Sequence, residues 1–171
     1  MQQSRRLVLV RHGKAEQSAD TDDERALTET GRDDAAAGGA WLAASGFVPD
    51  HALVSSARRA QETWEALSSP HGWEVAVDVS DLLYSAEPET VLDLLREVPD
   101  GARSVIVVGH NPTMAYVATM VDDGSGDEAA ATELTTRGFP TCSLAVFEYD
   151  GDWAALDVTS ARLVAFHVGR A

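Results

Sequence analysis

Short runs of consecutive apolar residues indicate the strands of a buried sheet. Residues 7–10 and 105–108 are continuously apolar rather than alternating, which is typical of strands covered by helices on both faces. Each run is followed at once by polar residues and a glycine. Further strands are predicted at residues 52–54, 75–77, 143–147 and 163–168, of which 75–77 has the weakest pattern.

Helical patterns fill the segments between these strands. Thr28 is the expected N-cap of a first helix, and Gly46 suits the position just beyond its end. Residues 89–98 predict another helix. Asn111 followed by Pro112 predicts a helix start, because asparagine caps well and proline at the first position loses no hydrogen bond.

One further helix follows the strand at residues 52–54. Ala60, Trp64 and Leu67 recur at helical spacing and predict a buried face. Ser55 or Ser56 is the expected cap of this helix.

Strands that alternate with helices predict an α/β fold, a three-layer α/β/α sandwich with a mostly parallel central sheet. No repeat or linker-like tract divides the chain, so we expect one domain over residues 1–171. Ligands of such sheets bind beyond the carboxyl ends of the strands. Residues that bind or react with a ligand should therefore follow the apolar runs.

Two histidines follow two inner strands at that edge. Residues 11–13, Arg-His-Gly, end the first strand, and residues 109–112, Gly-His-Asn-Pro, end the strand at 105–108. Arg59 lies at a strand-to-helix junction, where helix amides also favour an anion. Arginine binds phosphoryl oxygens through two parallel hydrogen bonds, and a neutral imidazole can carry a phosphoryl group covalently. The pattern predicts a phosphate site with a histidine nucleophile, in which His12 and His110 have opposed protonation demands.

Charge and composition exclude several other functions. The 171 residues contain 13 Lys+Arg and 28 Asp+Glu, for a net charge of −15, which disfavours nucleic acid and anionic membranes as partners. The single Cys142 and the lack of a long apolar run favour a cytoplasmic protein. The spacing of histidines and cysteine suggests no metal site, and no cofactor is expected.

Several segments together resemble a known family. The chain is similar over nearly its full length to the histidine phosphatase (phosphoglycerate mutase-like) superfamily, and within it to the SixA-like phosphohistidine phosphatase branch. The resemblance implies a phosphoglycerate mutase-like fold. It also implies that His12 is the nucleophile that becomes phosphorylated and that Arg11, Arg59 and His110 bind the phosphoryl group. The matching segments are residues 11–15, 25–31, 55–63, 83–84 and 108–112.

Two further residues are candidates for the site. Many members of the superfamily carry a glutamate that acts as general acid between the second arginine and the second histidine. Glu87 is the nearest match here. Arg25 is a candidate for the mouth of the pocket. The acidic run at residues 20–24 is expected to be a solvated loop that borders this mouth and disfavours highly anionic substrates. Residues 124–129 are expected to be an acidic surface loop rather than a dinucleotide motif.

The sequence therefore predicts a metal-independent phosphatase with a covalent phosphohistidine intermediate, acting on phosphohistidine in a signalling protein. The short stretch between Arg59 and His110 leaves little chain for a lid and predicts an open site. A general phosphatase of small phosphomonoesters is one alternative. A catalytically idle module that binds phosphohistidine is another. The expected partner is accordingly a phosphorylated protein or a small phosphorylated substrate.

Overall fold

The computed structural model describes residues 3–171, which form a six-stranded sheet with helices on both faces. The strands are β1 (Arg5–Arg11), β2 (His51–Ser55), β3 (Ala76–Ser80), β4 (Ser104–Gly109), β5 (Ser143–Tyr149) and β6 (Arg162–Val168). The helices are α1 (Glu29–Ala44), α2 (Arg58–Ser68), α3 (Pro88–Arg96), α4 (Thr113–Val121) and α5 (Glu128–Arg137). None of the helices in this part of the chain is both long and apolar enough to cross a membrane.

The sheet has the strand order β3-β2-β4-β1-β5-β6. Strands β1 to β4 are parallel to one another, whereas β5 is antiparallel to both of its neighbours. The predicted mostly parallel α/β sheet is therefore confirmed. Because β1, β2 and β4 are adjacent and parallel, their carboxyl ends meet at one edge.

Alternate residues of β1 pack against different helices on the two faces of the sheet. Leu7 and Leu9 pack in one apolar cluster with residues of α3 and α4. Val8 and Val10 pack in the other cluster with residues of α1 and α2. All four side chains are buried, so the continuous apolar run reflects two helical layers on one sheet.

Helix α1 begins where it can hold the segment after His12 in place. The Thr28 side chain caps the helix by accepting a hydrogen bond from the amide of Gly31, as predicted for Thr28. The Thr28 amide in turn donates to the carbonyl of Lys14 at 2.9 Å. A Cβ at Gly31 would overlap that same carbonyl, so only glycine allows this approach.

Three local expectations differ from the structure. Helix α2 has Ala57 at its N-cap and no side-chain cap, so neither Ser55 nor Ser56 caps it. Pro112 itself occupies the N-cap position of α4, although the Asn111 side chain accepts from the amide of Ala115. Residues 124–127 do form a loop, but α5 follows at once from Glu128 with Asp127 as its cap.

Candidate active site

His12 follows β1 at the edge where the parallel strands end. Its Nδ1 lies 2.7 Å from the carbonyl oxygen of Gly13, which has no proton to give, so Nδ1 carries the proton and donates. The Nε2 atom of the neutral ring therefore keeps its lone pair. The amide of Gly13 donates to Oγ1 of buried Thr63, which donates to the carbonyl of Arg59. Helix α2 thus fixes the turn that orients the His12 ring.

His12 and His110 face each other with ring centroids 5.1 Å apart. Burial, and then the charges of Arg59 and Arg11, lower the pKa of His12 to about 4. Burial, and then the charges of His12 and Arg59, lower the pKa of His110 to about 3. Both rings are therefore neutral at pH 7 in the ligand-free protein. The two rings differ here in their hydrogen bonds, and their opposed protonation during the reaction stays a prediction.

Ser55 ends β2 beside His110 and bonds to its ring. Its Oγ lies 2.7 Å from Nε2 of His110 and also accepts a hydrogen bond from the amide of Ala57. With that amide as its donor, the hydroxyl is free to give its own proton to Nε2. The neutral His110 ring then carries its proton on Nδ1. Ser55, predicted as a helix cap, therefore orients a histidine.

Arg59 is buried near the start of α2, whereas its neighbour Arg58 is exposed. Its Nη1 donates to the carbonyl of Asp22 at 2.8 Å, and its Nη2 lies 3.1 Å from Oδ2 of the same residue. Arg58 points away and pairs with Glu62. The structure thus separates the two adjacent arginines, and Arg59 is the one that accompanies His12.

Three buried nitrogen atoms of this site are unpartnered among residues 3–171. They are Nε of Arg11, Nε of Arg59 and Nδ1 of His110. Arg11 is otherwise held by a hydrogen bond from Nη1 to the carbonyl of Phe139. Buried donors of native proteins are normally paired, so unpaired donors on the residues around His12 indicate a binding site for acceptors. An anion with several oxygens, such as a phosphoryl group, matches this donor set.

Asp22 connects the loop after β1 to the site. Its carboxylate accepts hydrogen bonds from Arg59, from Nε of Arg25 at 2.9 Å and from the Tyr84 hydroxyl. The Tyr84 ring lies edge-on to His110 with centroids 5.8 Å apart. The acidic run was expected to be solvated, yet this member binds the arginine of the site. Arg25, the predicted mouth residue, is placed beside the site by this contact.

Glu87 lies immediately before α3 and is exposed. It lines a pocket of about 280 Å³ together with His110, Tyr84 and Tyr116. No hydrogen bond joins its carboxylate to either histidine of the site. Its role as a general acid therefore stays a prediction.

Sequence reasoning brought together Arg11, His12, Arg59 and His110. It did not predict that Ser55, Tyr84 or Asp22 contacts these residues. Ser55 and Tyr84 lie in segments that carried the family resemblance, so that signal could have identified them. Asp22 has no such signal because its contact depends on the path of a loop. No cluster of three or more potential metal ligands occurs within residues 3–171.

Comparison with known proteins identifies the family that the arrangement of the site suggests. The sequence profile of the histidine phosphatase superfamily (branch 1) matches residues 7–83. The uncharacterised protein Rv1276c of Mycobacterium tuberculosis is 35% identical over 94% of this chain and 100% of its own length.

Solved structures match over the whole fold. A protein of Nakamurella multipartitia assigned as a phosphohistidine phosphatase SixA is 32% identical, with a TM-score of 0.87 over 99% of this chain and 98% of its own. The corresponding Agrobacterium tumefaciens protein is 30% identical, with a TM-score of 0.77 over 95% and 97%. The chain therefore belongs to the histidine phosphatase superfamily and is a phosphatase.

Proposed function

We propose that this phosphatase hydrolyses phosphohistidine in a signalling protein, without a metal, through a covalent phosphohistidine on His12. The observation that carries the proposal is the free Nε2 of a neutral His12 beside three unpaired buried donors. Such a set combines a nucleophile with the groups that stabilise the charge it creates.

Binding of the phosphoryl group uses the unpaired donors. Nε of Arg11, Nε of Arg59 and Nδ1–H of His110 donate to its oxygens. Each donor is held beforehand: Arg11 by Phe139, Arg59 by Asp22 and His110 by Ser55. Donors fixed in this way lose little freedom on binding and stabilise the charge that builds up on the oxygens. Two arginines supply the positive charge, so the reaction needs no metal.

The first chemical step transfers the phosphoryl group to His12. Its Nε2 lone pair forms the new P–N bond as the bond to the leaving group breaks. The positive charge that develops on the His12 ring is stabilised by the hydrogen bond from Nδ1–H to the Gly13 carbonyl. Water then attacks phosphorus and the bond to Nε2 breaks. The electron pair of that bond returns to Nε2, which restores neutral His12, and inorganic phosphate leaves with the oxygen and the protons of the water.

The substrate class rests on two observations. Relatives of 30% and 32% identity are assigned as phosphohistidine phosphatases. In addition, the residues at the opening are exposed: Asp22 has 55% of its side chain accessible, and Glu87 and Tyr116 are exposed as well. An open site admits a histidine that is attached to a protein surface.

The test compares four substrates in buffer containing EDTA. A phosphohistidine-bearing protein, free phosphohistidine, p-nitrophenyl phosphate and 3-phosphoglycerate are each incubated with the purified enzyme, and released phosphate is measured. We expect the highest kcat/KM for the phosphohistidine protein, with no loss in EDTA. A preference for either ester, or abolition of activity by EDTA, contradicts the proposal. Binding of phosphohistidine without release identifies an idle module instead.

A further inference from the structure

Asp22 binds Arg59 and Arg25 through a carboxylate that has room for a further donor. Oδ2 accepts two hydrogen bonds, from Arg59 and from the Tyr84 hydroxyl, whereas Oδ1 accepts one from Arg25. Each carboxylate oxygen has room for about two donors. One acceptor position therefore remains on Oδ1, and 55% of the Asp22 side chain is accessible to solvent.

The carboxylate of Asp22 is ionised at neutral pH. The hydrogen bond from Tyr84, together with those from Arg25 and Arg59, holds the pKa of Asp22 well below its usual range. Asp22 therefore has no proton to give to a leaving group at neutral pH. It offers instead a fixed acceptor for an N–H donor.

Asp22 is exposed and is bonded to groups that lie beside the site histidines. Its carboxylate binds Arg59 and the Tyr84 hydroxyl, and the Tyr84 ring lies edge-on to His110. Displacement at phosphorus by His12 places the leaving group opposite the nucleophile. If that side is the solvent-exposed one, the leaving group departs past the accessible Asp22 carboxylate.

We infer that Asp22 selects the leaving group, and this inference rests on the proposed function. Its Oδ1 accepts a hydrogen bond from the ring N–H of a substrate phosphohistidine whose imidazole is protonated. As Nε2 of His12 bonds to phosphorus, the electron pair of the substrate P–N bond returns to the ring nitrogen. The N–H proton stays on that ring, which departs as neutral imidazole. The step therefore balances without a general acid.

Phosphate esters gain nothing from the same carboxylate. An ester leaves as an alkoxide or phenoxide oxygen, which carries no N–H group that could donate to Oδ1. Asp22 thus assists one substrate class and not the other. A change in their ratio distinguishes this role from mere support of Arg59, which would affect both classes alike.

The test compares Asp22→Asn with wild type on phosphohistidine and on p-nitrophenyl phosphate at pH 7. Asparagine is nearly isosteric, and the backbone carbonyl that binds Arg59 is retained. Asp23→Asn is the matched control, since it removes the same charge from the same turn, Asp22–Glu24. Arg59 forms its hydrogen bonds and ion pair in this turn with Asp22 and none with Asp23. Inorganic phosphate release gives kcat/KM for each pair.

We expect Asp22→Asn to lower the phosphohistidine-to-ester ratio of kcat/KM by about tenfold or more, the size of one hydrogen bond to a charged group. Asp23→Asn should leave the ratio within about twofold of wild type. An unchanged ratio in Asp22→Asn, or an equal change in Asp23→Asn, overturns the role of Asp22. Wild-type protein that releases phosphate from neither substrate overturns the proposed function itself.

Discussion

The Ser55 hydroxyl lies 2.7 Å from Nε2 of His110, and when it donates its proton there, the ring proton of His110 lies on Nδ1. Ser55 is fully buried, and the Ala57 amide occupies an acceptor position of its oxygen. The unpaired Nδ1–H of His110 is thereby presented as a donor. We therefore expect Ser55, the last residue of β2, to prepare His110, which directly follows β4, for phosphoryl binding.

Ser55→Ala is expected to lower kcat about tenfold or more, because the freed His110 ring can place its proton on Nε2 and lose its donor to phosphate. The measurement is kcat on p-nitrophenyl phosphate, combined with 15N NMR of the His110 tautomer. Ser56→Ala is the control and should behave as wild type. Unchanged kcat and an unchanged tautomer in Ser55→Ala would refute this role.

Arg59→Lys is expected to lower kcat/KM by about 100-fold or more, although the positive charge is kept. Lysine lacks the planar fork that binds Asp22 through both terminal nitrogens and leaves Nε for substrate. Arg58→Lys changes the neighbouring exposed residue and should have little effect on steady-state kinetics. Equal losses in the two variants would show that the local charge, rather than the geometry of Arg59, matters.

Both site histidines are expected to remain neutral on mild acidification. Burial and nearby arginines lower the pKa of His12 to about 4 and that of His110 to about 3. An ordinary histidine, with a pKa near 6.5, is mostly protonated at pH 5.5, whereas these two should not be. NMR titration of the ligand-free protein checks this, with His12→Gln and His110→Gln used to assign the signals. A midpoint near 6.5 for either ring contradicts the expectation.

Gly39→Ala is expected to destabilise the fold by about 2 kcal/mol, through overpacking where α1 meets α2. The new Cβ would overlap the backbone carbonyl of Leu67, which cannot move without displacing α2 and Arg59. Gly101→Ala is the control, because no atom lies within 4 Å of a Cβ there. Urea unfolding measures both variants. Equal free energies of unfolding for Gly39→Ala and Gly101→Ala would contradict this, because α2 would then shift to accept the new Cβ without cost.

Patterns of buried residues made much of the fold predictable. The apolar runs at 7–10 and 105–108 are the inner strands β1 and β4, because both faces of these strands are covered. Strand β3 spans Ala76–Ser80 rather than 75–77, and its edge position leaves most of its residues exposed and without a clear pattern. Helix α5 was missed because Ala130 is its single buried residue.

Only those residues of the candidate site that lie next to strand ends could be predicted from the sequence. Parallel strands end at one edge, so residues that follow β1 and β4 had to meet there. Asp22 reaches Arg59 through the loop between β1 and α1, whose path no periodicity describes. Ser55 was mistaken for a cap because a serine before a helix most often serves as one.

The most direct test of the covalent route is to incubate wild-type protein and His12→Ala with 32P-labelled phosphohistidine and quench rapidly. We expect label on the wild-type protein that is lost in acid but stable in alkali, together with phosphate release, and neither in His12→Ala. Label or turnover that persists in His12→Ala would contradict the assignment of His12 as the nucleophile.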